Sequence, residues 1–314
     1  MRLTADLALL GVAAAWGLTF PFAKTVQQSI PTFTYLALRF GAASVVLIAA
    51  AMLVRRPMTP RKSIAPRGAA APRAWTAAAG VGVVLFLGFA TQALGIRVTT
   101  ASRAGFITGL SVVLVPIMSA IWFRRAPRLA VVLGVSAATI GMALMTAGDA
   151  SAPANRGDWL VLACAVCFAL HIILVGRLAA AWDAVWFATA QVVAVAVLSG
   201  LAALSERPIE ALASAPLSAW GMIAYMTVLG TVAALLVQIW AQRFTTPTHT
   251  GLMFAFEPVA AAVAAAALLG ESLAGRPALG AALIISGIVI AELARDEGRE
   301  RARPTTGNAR ADTA

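Results

Sequence analysis

The chain has 314 residues, of which 61% are hydrophobic and only 12% are charged. Soluble domains have about 45–50% apolar and about 25% charged residues, so this composition excludes that class and indicates an integral membrane protein. The net charge of +11 would suit nucleic-acid binding, but the basic residues lie in short loops between apolar segments and not on one face. We interpret the charge as a signal of membrane orientation and expect no nucleic-acid partner.

Ten segments of the chain are apolar enough to cross a bilayer as helices, which takes roughly 20 residues for a hydrocarbon core about 30 Å thick. In chain order they are 6–23, 33–54, 75–95, 102–123, 129–147, 159–175, 184–204, 217–240, 248–269 and 277–293. The first segment follows a single basic residue, Arg2, and nine more come after it, so we interpret it as a membrane span and not as a signal peptide. The remaining residues, 295–314, are charged and then polar, which predicts a disordered cytoplasmic tail.

The basic residues are distributed unevenly between the two sides of these segments. If the amino terminus is inside, 17 Lys and Arg residues lie in cytoplasmic segments, six lie outside, and Arg39 alone lies within a span. Cytoplasmic loops of membrane proteins carry an excess of Lys and Arg. We therefore expect a multi-pass protein of a bacterial inner cell membrane with both termini in the cytoplasm.

The chain contains an internal repeat. Residues 97–105, RVTTASRAG, match residues 243–251, RFTTPTHTG, at an offset of 146 positions, and residues 16–39 match 168–191 at an offset of 152. Each copy holds five spans, which is an odd number, so the second copy must enter the membrane in the opposite direction. The sequence thus predicts an all-α membrane protein of ten transmembrane helices in two inverted five-helix repeats, residues 1–148 and 149–294. Inverted repeats are an architecture of secondary transporters, whose substrate site lies at the repeat interface.

Several short motifs resemble the EamA-type branch of the drug/metabolite transporter superfamily, and the resemblance covers about residues 5–294. They are Trp16-Gly17-Leu18-Thr19-Phe20, Leu38-Arg39-Phe40, Phe256-Glu257-Pro258-Val259, Leu269-Gly270-Glu271 and the Gly280, Gly287 spacing. The first copy departs from the pattern, with Arg125 in place of Glu271 and Ser111-Val112 in place of Glu257-Pro258. The resemblance implies efflux of small metabolites or drugs and does not name the substrate.

Polar residues inside the spans come in pairs that the repeat relates. A polar side chain that faced lipid would lose its water without replacement, so we expect these residues to face the interior or a water-filled cavity. We predict that they line a central substrate cavity, with Trp16 and the matching Phe168 as an aromatic wall. The pairs are Thr19 with His171, Arg39 with Gln191, and Gln92 with Gln238.

Each of these residues also has a purely structural interpretation. Arg39 lies about seven residues from the end of its span, near enough to extend its charge to the interface. His171 and the glutamines could serve only as hydrogen bonds between helices, and Trp16 only as packing. The sequence leaves both interpretations open for every one of them.

Glu257 is a carboxylate in the middle of the ninth segment, about 14 Å from its cytoplasmic end. An ionisable group at that depth is a functional-site candidate by default. Two roles compete for Glu257: a proton carrier, or a structural group that is neutral or paired with Arg39 beside a kink at Pro258. We assign Glu257 and Pro258 to coupling or gating, and the choice between proton coupling and exchange stays open.

Other classes of function find little support in the sequence. There is no Gly-x-x-x-x-Gly-Lys phosphate-binding motif and no cluster of metal-binding side chains, so we expect neither a cofactor nor a metal. An intramembrane enzyme would have only His171 and Glu257 as an obvious acid and base, and a receptor or scaffold would not need the repeat. The sequence predicts a secondary active transporter, not an enzyme. It would move a small organic molecule outward by alternating access, and its oligomeric state is unknown.

Overall fold

The computed structural model describes residues 1–54, 71–124, 126–146, 153–206, 212–269 and 275–300, and in these ranges the regular structure is helical, without a strand. One π-helical turn, Val228–Ala233, lies between α10 and α11. The helices are α1 (Arg2–Gly17), α2 (Thr19–Val26), α3 (Thr32–Val54), α4 (Ala71–Val98), α5 (Ala101–Gly109), α6 (Ser111–Phe123), α7 (Leu129–Thr146), α8 (Arg156–Leu178), α9 (Ala184–Ala203), α10 (Leu217–Thr227), α11 (Ala234–Ala241), α12 (Pro247–Phe254), α13 (Glu257–Leu269) and α14 (Arg276–Glu300).

Seven helical spans in the described part of the chain are long and apolar enough to cross a membrane. Two further apolar helices, Leu129–Met145 and Arg276–Ala291, are shorter, and the ninth predicted segment is divided into α12 and α13. The prediction of a multi-pass helical membrane protein is therefore confirmed, while the number of ten spans stays a prediction. The seven are Arg2–Val26, Thr32–Leu53, Trp75–Val98, Ala101–Phe123, Arg156–Leu178, Ala184–Ala203 and Leu217–Ala241.

Some sequence predictions concern residues at the edge of the described ranges or beyond it. Helix α14 continues to Glu300, so it enters the predicted disordered tail, whose residues 301–314 lie outside the described part. Arg125 and the Gly270-Glu271 motif also lie outside it.

Large apolar side chains cover much of the exterior of the helices. Val45, Leu133, Ile140 and Leu201 are each more than half exposed although they lie within apolar helices. In water such a surface would be an association site, but in a bilayer it is the surface that lipid chains contact. The exterior is thus consistent with the composition of the chain.

Four of the spans are interrupted part of the way through. Proline lacks an amide hydrogen and is tolerated in the first turn of a helix, where that hydrogen has no partner. Pro21 and Pro258 both lie in the first turn of the second helix of an interrupted span, so they fit the starts of α2 and α13. The interruptions are Leu18, Leu110, the π-helical turn Val228–Ala233, and Ala255–Phe256.

Helices α7 and α14 cross in close contact through four glycines. A Cβ atom on Gly134 would lie 2.6 Å from the carbonyl oxygen of Gly287, and one on Gly141 would lie 2.5 Å from that of Gly280. Small residues allow helix backbones to approach this closely in a membrane. The repeat relates Gly134 to Gly280 and Gly141 to Gly287. The two contacts, Gly134 with Gly287 and Gly141 with Gly280, are therefore related to each other by the repeat.

A leucine at this crossing should destabilise the fold. We expect Gly134→Leu to lower the free energy of unfolding by about 1–3 kcal/mol, because the added atoms force the two backbones apart. Gly41→Leu is a matched control, since a Cβ atom on Gly41 has no neighbour within 4 Å. Unfolding of the purified variants in detergent would measure the difference, and equal stability of the two would contradict the crossing.

Candidate functional site

A cavity lies where the interrupted helices meet. It contains about 780 Å³ of space between atoms, its opening included. Interrupting a helix frees backbone groups that hydrocarbon could not satisfy, so such breaks are tolerated where they line a cavity or are covered by protein. Each interruption supplies the cavity with lining residues: Trp16 and Thr19, Gly109 and Ser111, Gly230 and Thr231, and Phe254 and Glu257.

Most of the residues that we predicted from the sequence lie around this one cavity. Gln191 is not a lining residue but contacts one, and Pro258 follows a lining residue without reaching the cavity itself. The structure thus brings the repeat-related polar pairs together, and their roles stay predictions. The predicted residues that line the cavity are Trp16, Thr19, Arg39, Gln92, Phe168, His171, Gln238 and Glu257.

The guanidinium group of Arg39 is held inside the protein. Arg39 is 3% exposed. Its Nε donates to Thr231 Oγ1 at 2.9 Å, Nη1 to the Tyr35 hydroxyl at 3.0 Å and Nη2 to the Gly230 carbonyl at 3.2 Å. The group also lies 4.9 Å from the centre of the Phe89 ring, within the range of a cation–π contact. The side chain therefore does not extend to the membrane interface in this structure.

The π-helical turn supplies the main acceptor of this arrangement. The Gly230 carbonyl also accepts a hydrogen bond from Trp16 Nε1 at 3.0 Å, so one oxygen joins Trp16 and Arg39. A Cβ atom on Gly230 would lie 3.2 Å from the methyl group of Thr19, which leaves little room for a side chain. We did not predict Tyr35, Gly230 or Thr231. Of these only Tyr35 had a signal, since it precedes Arg39 by one helical turn.

His171 and Gln191 form a buried hydrogen bond between α8 and α9. His171 Nε2 lies 2.7 Å from Gln191 Oε1, and Gln191 Nε2 donates to the Phe187 carbonyl at 3.0 Å. With the amide in this orientation His171 donates from Nε2, which leaves Nδ1 as an acceptor. His171 thus has both features considered from the sequence, because it bonds a neighbouring helix and lines the cavity.

The two repeat-related glutamines have different surroundings. Gln238 donates to Gln242 Oε1 at 3.3 Å, and Gln242 donates in turn to the Ile172 carbonyl at 2.9 Å. Gln92 has only a long contact of 3.5 Å with Thr108 Oγ1. Gln92 is therefore the less constrained of the two.

Glu257 is the first residue of α13, where free backbone N–H groups favour a negative charge. Its side chain is half-buried and lines the cavity. Among the residues that the structure describes, the Glu257 carboxylate has no hydrogen-bonding partner and no cation within 4 Å. Because the Arg39 guanidinium bonds Thr231, Tyr35 and Gly230 instead, the Arg39–Glu257 pair considered from the sequence is not formed.

Comparisons with known proteins agree with this architecture. A protein 28% identical over 295 residues, 93% of this chain and 87% of its own length, is an "Uncharacterized transporter" of Archaeoglobus fulgidus (strain ATCC 49558 / DSM 4304 / JCM 9628 / NBRC 100126 / VC-16). A crystal structure of a protein 20% identical superimposes with a TM-score of 0.74 over 95% of this chain and 99% of that one, which shows a shared fold. The model of the EamA-like transporter family matches twice, at residues 3–147 and 155–293. The chain therefore belongs to the EamA-like transporter family, within the drug/metabolite transporter superfamily.

Proposed function

We propose that the chain is a secondary transporter of ten spans that carries a small organic solute by alternating access around the central cavity. The observation that carries this proposal is the convergence of four interrupted helices, with repeat-related polar residues, on one cavity. The family points to a transporter rather than an enzyme. Two observations support the inverted five-helix repeats. The family model matches twice in succession, and α7 and α14 contact each other through glycines that the repeat relates.

The lining suggests the class of solute. Aromatic side chains supply much of the wall, and a few polar groups, Arg39, His171 and Glu257, lie between them. Small-molecule sites usually combine an apolar wall with a few polar groups that fix orientation. We infer a solute with an apolar body and one or two polar groups, exported across a bacterial inner membrane. The aromatic lining residues are Trp16, Phe20, Phe89, Phe168 and Phe254.

Transport by purified protein in liposomes tests the proposal. The panel would hold amino acids, sugars, nucleobases and cationic drugs, each measured with and without a pH gradient. We expect saturable flux of at least one class, at least about a hundredfold above liposomes that contain the Arg39→Ala variant. Flux that no solute raises above that variant would contradict the assignment of the cavity.

The proposed topology predicts which sites an impermeant thiol reagent reaches in intact cells. We expect cysteines introduced at Ala65 and Thr306 to be shielded, because the positive-inside rule places them in the cytoplasm, and one at Ala154 to react. The three cysteines are introduced into a chain whose own cysteines, Cys164 and Cys167, are replaced, and that chain alone is the control. Labelling at position 65 from outside would overturn the inverted arrangement.

A further inference from the structure

Two hydrogen-bonded pairs of an acidic and a basic side chain lie outside the cavity, and the repeat relates one pair to the other. Arg103 Nη2 lies 2.6 Å from Asp158 Oδ2, and His249 Nε2 lies 3.1 Å from Asp6 Oδ1. The offset of 146 takes Arg103 to His249, and the offset of 152 takes Asp6 to Asp158. The two pairs are therefore repeat-related versions of the same contact between the two copies.

The backbone around Arg103 and His249 is built alike. Arg103 and His249 are each the third residue of a short helix, α5 and α12. Thr100 and Thr246 cap these helices, and their side chains accept hydrogen bonds from the backbone N–H groups of Arg103 and His249. The equivalence thus extends from the sequence to the local structure.

The pairs lie at opposite ends of the helix bundle. Lys24 donates to the Ile96 carbonyl near the end of α4, and Thr99, just beyond α4, donates to Asp158 at 2.6 Å. Asp158 is therefore at the same end as Lys24. Asp6 precedes Lys24 by 18 residues of the same span, which is about 27 Å at 1.5 Å per residue.

Each pair also ties one copy of the repeat to the other. Asp6 and Arg103 belong to the first copy, and their partners His249 and Asp158 belong to the second. All four helices involved, α1, α5, α8 and α12, carry residues that line the cavity. The four side chains are at most 14% exposed, and breaking such a contact by removing one member is destabilising.

We propose that these pairs are two latches, one closing each end of the cavity, and that the transport cycle opens them alternately. The proposal rests on the transport function proposed above. Rocking of one copy against the other would separate the helices at one end while it keeps them together at the opposite end. Both pairs are formed in the structure, so the two copies are joined at each end of the helix bundle.

Access of a reagent to the cavity tests the latches without knowledge of the substrate. Ser111, a lining residue, is replaced by cysteine in a chain that carries Cys164→Ala and Cys167→Ala. An impermeant thiol reagent is applied to intact cells and to inside-out vesicles. We expect Asp6→Asn to raise the labelling rate about tenfold from one face of the membrane, and Asp158→Asn to raise it similarly from the other face.

The latches predict a faster labelling rate from opposite faces in the two variants. A faster rate from the same face in both variants, or no change of the rate in either, would overturn the latches. If the Asp158→Asn variant is lost from the membrane, the double variant Arg103→Asp, Asp158→Arg, which exchanges the two side chains, is tested instead. If the double variant is present in the membrane and is labelled at the wild-type rate, the latch is supported. If the double variant is also lost from the membrane, the result counts against the latch. A background chain that is labelled from one face only, whatever the variants do, would count against alternating access itself.

Discussion

Replacing Arg39 with alanine is expected to abolish transport, with a loss of at least about a hundredfold. The truncation removes the donors to Thr231, Tyr35 and the Gly230 carbonyl at once and leaves these buried groups without that partner. It also removes the cation beside the Phe89 ring on the cavity wall. Flux in liposomes, normalised to the amount of reconstituted protein, measures the effect.

The Arg39→Lys variant separates charge from geometry. A lysine keeps the positive charge, but its single ammonium group cannot reproduce the planar fork that contacts three partners. We expect it to lose about tenfold in rate while it remains in the membrane. Arg97→Ala is a matched control, because Arg97 is exposed and has only a long contact of 3.5 Å with Thr32. Wild-type flux in Arg39→Lys would show that charge alone suffices and would contradict the proposed role of the fork.

Replacing Glu257 with glutamine is expected to leave the fold stable and to reduce transport by about tenfold or more. The stability should change by less than about 0.5 kcal/mol, since no partner of this carboxylate is found in the described ranges. Loss of gradient-driven flux with exchange retained would identify a proton carrier, and loss of both would identify a contact to the solute. Normal transport of both kinds would contradict any role for the carboxylate in the cavity.

Glu206→Gln provides the control for a carboxylate with a structural role. Glu206 accepts hydrogen bonds from the backbone N–H groups of Phe33 and Thr34 and from the Thr34 hydroxyl, so it holds the start of α3. We expect Glu206→Gln to lower the melting temperature without changing the response of flux to the pH gradient. Glu257→Gln should instead leave the melting temperature nearly unchanged and lower the flux.

The polar part of the site could be predicted from the sequence because its residues are exceptions in an apolar chain. Thr19, Arg39, Gln92, His171 and Gln238 stand out by type and by the repeat, and the structure places all five on the cavity wall. The arrangement around Arg39 was missed because two of its three partners, Gly230 and Thr231, leave no pattern in the sequence. A π-helical turn at Val228–Ala233 changes no hydropathy, and a glycine carbonyl has no side chain to indicate that it is an acceptor.

The interruptions of the helices were predictable only in part. A kink was predicted at Pro258, and Pro21 marks a second interruption, but Leu110 and the π-helical turn have no comparable signal. The two acid–base pairs show a different limit. Residues 97–105 and 243–251 contain both basic residues, whereas the matched range 16–39 begins ten residues after Asp6. Extending the offset of 152 back to Asp6 gives Asp158, so both pairs were within reach of the sequence.

The most direct test of alternating access is the labelling of a cysteine at position 111 in the chain without its own cysteines and without any latch variant. The reagent is impermeant and is applied separately to each face of the membrane. A cavity that opens to both sides in turn predicts labelling from both faces, with the two rates changing in opposite directions when a transported solute is added. Labelling from one face only, unchanged by solute, would contradict the central claim that this cavity is the path across the membrane.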